Sequence, residues 1–171
     1  VLSDLLVPDM GWLEACFSEF FRLNSSLHKL KLSSNYARNI IEQNYARQKW
    51  FNYVIFLWEQ WEVLEWLSEN IFIQKWEEIF TPQEGNILSW VNRAYIIDEL
   101  KKKWFSVTEK VINTEELLSC DGIIVSGSAT GVRRIWKIEN TSLNSQNFYE
   151  LVKRFYWDTM DISSKHITKL L

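Results

Sequence analysis

The chain holds 171 residues, 24% charged and 47% hydrophobic, with a formal net charge of −3. That length suits one domain, or one domain with an extension, and the acidic balance excludes a grip on duplex nucleic acid through bulk positive charge. Aromatic residues at 15% exclude disorder, and ten Trp are far more than packing alone recruits.

The apolar residues Trp12, Leu13, Cys16, Phe17, Phe20, Phe21 and Leu23 recur at intervals of three and four, which predicts a helix over 8–23 opened by Asp9. Alternation over 27–32 is a weak strand signal, and 36–49 is ambiguous. β-branched and aromatic residues predict a strand over 50–57, and the spacing of Trp58, Trp61 and Leu64 predicts a helix over 59–70. A short strand carrying Trp76 follows over 71–80, then a Pro- and Gly-bearing turn. Ile96, Ile97, Leu100 and Trp104 make the stripe of a helix over 95–105. The runs 122–125 and 132–138 read as a hairpin, and Phe148, Leu151, Val152 and Phe155 as the buried stripe of a last helix over 145–158. The sum is an α+β chain: a helical extension over 1–26 and one domain over 27–171.

Cys16 and Cys120 are too few for a disulfide framework, and no run of eighteen apolar residues appears. Val1–Val7 lacks the basic leader of a signal peptide. A reducing, cytoplasmic setting away from membranes is expected. Neither His28 nor His166 sits in a catalytic spacing, and Glu77–Glu78 and Glu115–Glu116 are adjacent pairs whose side chains point apart. The Ser126-Gly-Ser-Ala-Thr-Gly stretch lacks the Lys that completes a phosphate loop and reads as a plain turn. No enzyme, metal or cofactor is expected.

The Trp set points to binding. An indole face attracts a delocalised cation by roughly 0.5–2 kcal/mol, so two rings facing one another recognise an alkylated base. Lys75-Trp-Glu-Glu puts Trp76 beside Glu77, and Val132-Arg-Arg-Ile-Trp-Lys supplies Arg133, Arg134, Trp136 and Lys137. Taken with Lys49-Trp50, Glu62–Trp66, Ser89-Trp90 and the run Cys120-Asp-Gly-Ile-Ile-Val, these fragments resemble the messenger-RNA cap-binding proteins of the translation initiation factor 4E type, over about 50–155.

That resemblance implies a curved antiparallel sheet backed by helices on its convex face, with the helical extension added at the N-terminus. Trp50 and Trp76 would sandwich the 7-methylguanine, Glu77 would accept from the base edge, and Trp136 would touch the methyl group. Arg134, with Arg133 or Lys137 behind it, would hold the triphosphate. Trp66 on the convex side would dock a helix from a scaffold or repressor protein. Capped mRNA would be the partner, in translation initiation or its regulation. The competing expectations are a Trp-rich, largely helical protein-interaction module and a viral polymerase cap-binding domain of unrelated fold.

Overall fold

Strand β1 (Trp12–Phe17) opens the computed structural model, which describes residues 12–19, 33–64, 69–83, 91–127 and 130–167. The chain continues through α1 (Ser33–Gln48), β2 (Tyr53–Ile55), β3 (Asn70–Lys75), β4 (Glu78–Pro82) and α2 (Val91–Lys102). Then come β5 (Ser106–Lys110), α3 (Thr114–Leu118), β6 (Gly122–Gly127), β7 (Gly131–Ile138), β8 (Thr141–Ser142) and α4 (Gln146–Ile167).

The eight strands among the described residues join one sheet in the order β2-β1-β7-β6-β3-β4-β5, with β8 added to β7. The sheet is mixed. Strand β1 runs parallel to both β2 and β7, and β4 runs parallel to β5. The centre is antiparallel: β6 pairs β7 through Ile123↔Ile135 and Gly127↔Gly131, and β3 pairs β6 through Asn70↔Ser126 and Ile73↔Ile123.

Period-two alternation splits the central strands between two apolar layers. Ile71, Ile73, Ile123, Val125 and Ile135 face one layer with Leu13, Ile55, Ala46 of α1 and Leu117 of α3. Phe72, Ile124 and Val132 face the other, closed by Ile96 and Leu100 of α2 and by Phe148, Val152 and Tyr156 of α4. Each full burial of an Ile or Phe side chain is worth about 1.5–3 kcal/mol. With both faces covered, β3 and β6 read as unbroken apolar runs rather than alternating ones.

This architecture corrects the expected fold. A cap-binding sheet would be antiparallel with an open concave face, whereas here the sheet is mixed and helices cover both sides. The expected N-terminal helix is instead β1, in the interior of the sheet between β2 and β7. Its aromatic residues fall at helical intervals, but Leu13 and Ala15 share the face that buries against the core. The expected helix over 59–70 is a turn at 59–61, bridges at Glu62 and Val63, and the start of β3. The single strand over 71–80 is the hairpin β3–β4, turning at Trp76–Glu77. The ambiguous 36–49 is helical in α1 up to Gln48, and the weak strand over 27–32 falls outside the described residues. The last helix and the β6–β7 hairpin stand as expected.

Candidate functional site

One edge of the sheet gathers polar groups where the core would otherwise be dry. There the first residues of β3 and β7 meet the last residues of β6. Glu69 is 0% exposed and Arg133 3%, and Asn70 and Ser126 are equally buried. Alternation explains the asymmetry along β7: Arg133 turns inward, while Arg134 points to the other face and stays partly exposed.

The Glu69 carboxylate accepts from Arg133 Nη2 at 2.5 Å and from the Thr130 hydroxyl. A buried charge needs such a partner, since an isolated one is expensive to desolvate. The pair is nevertheless not saturated. Glu69 Oε2, Arg133 Nε and Nη1, and the Ser126 hydroxyl carry no hydrogen bond. In a settled core such capacity is rarely left unused, so its concentration at one edge marks a place where something polar belongs.

Nearby, α2 begins beside the end of β4. Arg93 in its first turn is buried, donates to Pro82 O at 2.8 Å and pairs with Glu109 at 2.8 Å. Thr81 ties β4 back to β3 by donating to Ile71 O at 2.8 Å. The start of α2 therefore sits close to the polar edge, and the four exposed N–H groups of a helix start favour anions. Residues 65–68, 84–90 and 128–129, which lead into β3, into α2 and around the β6–β7 turn, lie outside the described residues.

The residues expected to bind a cap fall elsewhere. Trp50 lies in the turn before β2 and Trp76 in the turn after β3. Those strands stand four places apart in the sheet, so about 19 Å separates them laterally, too far to clamp one flat base. Both rings are in solvent, 92% and 81% exposed. Glu77 is exposed in the same turn as Trp76. Trp136 packs edge-on against Trp12, with ring centroids 5.6 Å apart, and Lys137 lies 3.8 Å from Glu14. Arg133 is the buried partner of Glu69, away from Trp50. Trp66 lies outside the described residues.

Cysteine chemistry is absent from the polar edge. Burial pushes the Cys16 thiol up to about 11 and the Cys120 thiol up to about 12, so both stay protonated near neutrality. Among the described residues no group of His, Cys, Asp and Glu could hold a metal ion. No helix among them is long and apolar enough to cross a membrane.

A buried carboxylate, a guanidinium and hydroxyls gather on one edge of a mixed sheet covered by helices, an arrangement unlike an RNA-cap slot. Residues 11–138 match the model of the class IV aminotransferases, and the chain belongs to that family. A branched-chain-amino-acid aminotransferase of Bacillus subtilis is 31% identical over 153 residues, covering 81% of this chain and 42% of that relative. The branched-chain aminotransferase of Thermoproteus uzoniensis, solved with norvaline, superposes with a TM-score of 0.79 at 25% identity, over 84% of this chain and 50% of that one. The Thermobaculum terrenum enzyme, solved in its PLP form, gives a TM-score of 0.80 at 19% identity, over 86% of this chain and 50% of that one. The chain thus spans half or less of the length of these relatives.

The match overturns the resemblance to cap-binding proteins, and with it the mRNA partner, the role in translation and both competing expectations. It also corrects the expectation of a non-enzymatic protein, since aminotransferases are enzymes. Sequence reasoning missed Glu69 and passed over the Ser126–Thr130 stretch as a turn. A Glu-Asn pair placed directly before the apolar run of β3, with a Ser/Thr/Gly turn two positions before a tandem Arg, was the available signal.

Proposed function

We propose that this chain forms the cofactor-holding part of a pyridoxal-phosphate-dependent branched-chain-amino-acid aminotransferase, working in the cytoplasm. The observation that carries the proposal is the unsaturated Glu69–Arg133 pair, with the unbonded Ser126 hydroxyl on the opposite face of the same edge, in a sheet belonging to this family.

The donor set fits the cofactor in kind. A cationic pyridine nitrogen asks for a carboxylate, which Glu69 offers, and a phosphate asks for hydroxyl, guanidinium and N–H donors. Ser126, Thr130, Arg133 and the start of α2 offer those. Bound pyridoxal phosphate would supply the electron sink that lets an amino acid lose its α-proton.

The chain's own residues set up that chemistry. The pair with Arg133 keeps the buried Glu69 carboxylate charged, and the bond from Thr130 fixes the carboxylate's rotation. The apolar residues on the same face, Ile71, Val125 and Ile135, exclude water and so strengthen each charge interaction at the edge.

A lysine must hold the cofactor's aldehyde and carry protons to and from the substrate carbon. Within the matched residues 11–138 the described lysines are committed elsewhere. Lys49 pairs with Glu19, Lys102 with Asp98, Lys110 with Glu116 and Lys137 with Glu14. Lys75 ends β3 at the opposite edge, and Lys101 and Lys103 are exposed at the end of α2. Lys29 and Lys31, just before α1, are left for the role.

The test is to load the purified protein with pyridoxal phosphate, reduce with borohydride and map the labelled peptide. The proposal expects the label on Lys29 or Lys31, and its loss when that lysine becomes Ala. Scattered labelling of exposed lysines at equal yield would overturn it.

A further inference from the structure

Among the described residues five other than glycine take a left-handed backbone, and four of them are tryptophan: Trp50, Trp61, Trp76 and Trp104, with φ of 69°, 61°, 61° and 67°. Left-handed residues other than Gly are uncommon, and where they occur Asn and Asp lead. A bulky ring at four such sites is not what chance or packing supplies. The local hydrogen bonds show why each backbone must be left-handed.

Helix α1 ends with Phe51 N–H bonded to Ala46 O and Trp50 N–H bonded to Arg47 O, both at 3.0 Å. Helix α2 ends the same way, Phe105 N–H to Leu100 O at 3.1 Å and Trp104 N–H to Lys101 O at 3.0 Å. This pair of bonds is the Schellman ending, whose left-handed residue is usually Gly. Trp61 follows a tight turn closed by its own N–H on Trp58 O at 2.9 Å, with Trp58 N–H on Glu62 O at 2.9 Å. A turn followed by one left-handed residue is the hairpin bulge that places Gly there. Trp76 is the first residue of the two-residue turn between Lys75 and Glu78, where a left-handed first position again calls for Gly.

These rings also do little for the fold. Trp50, Trp76 and Trp104 are 92%, 81% and 95% exposed, and Trp61 is 55% exposed. Trp12, Trp58 and Trp136 differ: they are half-buried with ordinary φ. The same chain has only five Gly in 171 residues, against ten Trp. Glycine is missing from the positions that need it, and tryptophan stands there.

We infer that the cell which makes this protein inserts glycine at positions 50, 61, 76 and 104. The chemistry this requires is a glycine-charged tRNA reading a codon that is otherwise assigned to tryptophan. UGA is such a codon: a stop in the standard code and tryptophan in some variant codes, it is one base away from the tryptophan codon UGG and one base away from the glycine codon GGA. With glycine at these four sites both helix endings and both turns lose their steric conflict, and four exposed rings leave the surface.

Peptide mass mapping of the protein isolated from its own cells tests this. Peptides spanning the four positions are expected at the masses for glycine, and tryptophan at any of the four overturns the inference. A second comparison uses a host that inserts residues as written: the variant carrying Trp→Gly at all four sites is expected to unfold at higher urea than the tryptophan form, with an unchanged circular dichroism spectrum. Equal or lower resistance to urea would also overturn it.

Discussion

Replacing Trp104 by Gly isolates the backbone at one helix ending. The left-handed conformation costs an L-residue about 1–2 kcal/mol, and glycine escapes that cost. Glycine's greater freedom in the unfolded chain takes back about 0.5–1 kcal/mol. No burial is forfeited, because the Trp104 ring is 95% exposed. Net stabilisation is therefore about 0.5–1 kcal/mol, which at a urea m-value of about 2 kcal/mol/M moves the midpoint up by about 0.3–0.5 M. Trp104→Ala removes the ring and keeps the left-handed strain, so its midpoint should stay within about 0.2 M of the parent. Both are read by tryptophan-independent far-ultraviolet circular dichroism in urea. A Gly variant no more stable than the Ala variant would refute the reasoning, because the ring rather than the backbone would then be what matters.

Other predictions follow from the polar edge and the core. Glu69→Gln should destabilise the protein by about 3–5 kcal/mol in urea, since it strands Arg133 as a buried charge, and a Glu69→Gln/Arg133→Met pair should cost much less than the two singles summed. Ser126→Ala should leave stability within about 0.5 kcal/mol, because the hydroxyl has no partner. The same change should weaken pyridoxal phosphate about ten- to a hundredfold by titration, the worth of a hydrogen bond to a charged group. Cys16 and Cys120 should resist thiol reagents at pH 8 in the folded protein and react at once in urea. Their raised pKa values set the sign of the pH effect: the unfolded thiols ionise from about 9 upward while the folded ones hold their protons to about 11 and 12. Stability should therefore be full below pH 9 and fall as pH rises through that window, as urea midpoints across pH 8–11 will report.

Much of the secondary structure in the second half was legible because its signals were local and redundant. The stripe Ile96, Ile97, Leu100 and the stripe Phe148, Val152, Phe155 each face one apolar layer, and the structure buries them there. The first half misled for a definite reason. Trp12, Cys16, Phe17, Phe20 and Phe21 mimic a helical period, yet the decisive contacts of β1 are parallel pairings with strands that follow it by some 40 and 120 residues in the chain. No window of a dozen residues contains that information. Parallel neighbours also hide the alternation that antiparallel strands display, since both faces are apolar.

The site was misread through the tryptophans. An excess of indole suggests aromatic recognition only when rings face a common space, and Trp50, Trp61, Trp76 and Trp104 sit singly in turns. Had these positions been read as the ends of helices and hairpins, each would have marked an element boundary, which is what glycine does. Glu69 and Arg133, by contrast, are 64 residues apart in sequence, and only the β3–β6–β7 register brings them together.

The most direct measurement loads the whole proposed aminotransferase, with this chain as its cofactor-holding part, with pyridoxal phosphate, adds leucine and a 2-oxo acid acceptor, and follows the branched-chain 2-oxo acid released. The account predicts turnover with leucine, isoleucine and valine that disappears when Lys29 and Lys31 are both replaced by Ala. A protein that binds the cofactor tightly yet releases no 2-oxo acid from any of the three amino acids would contradict it.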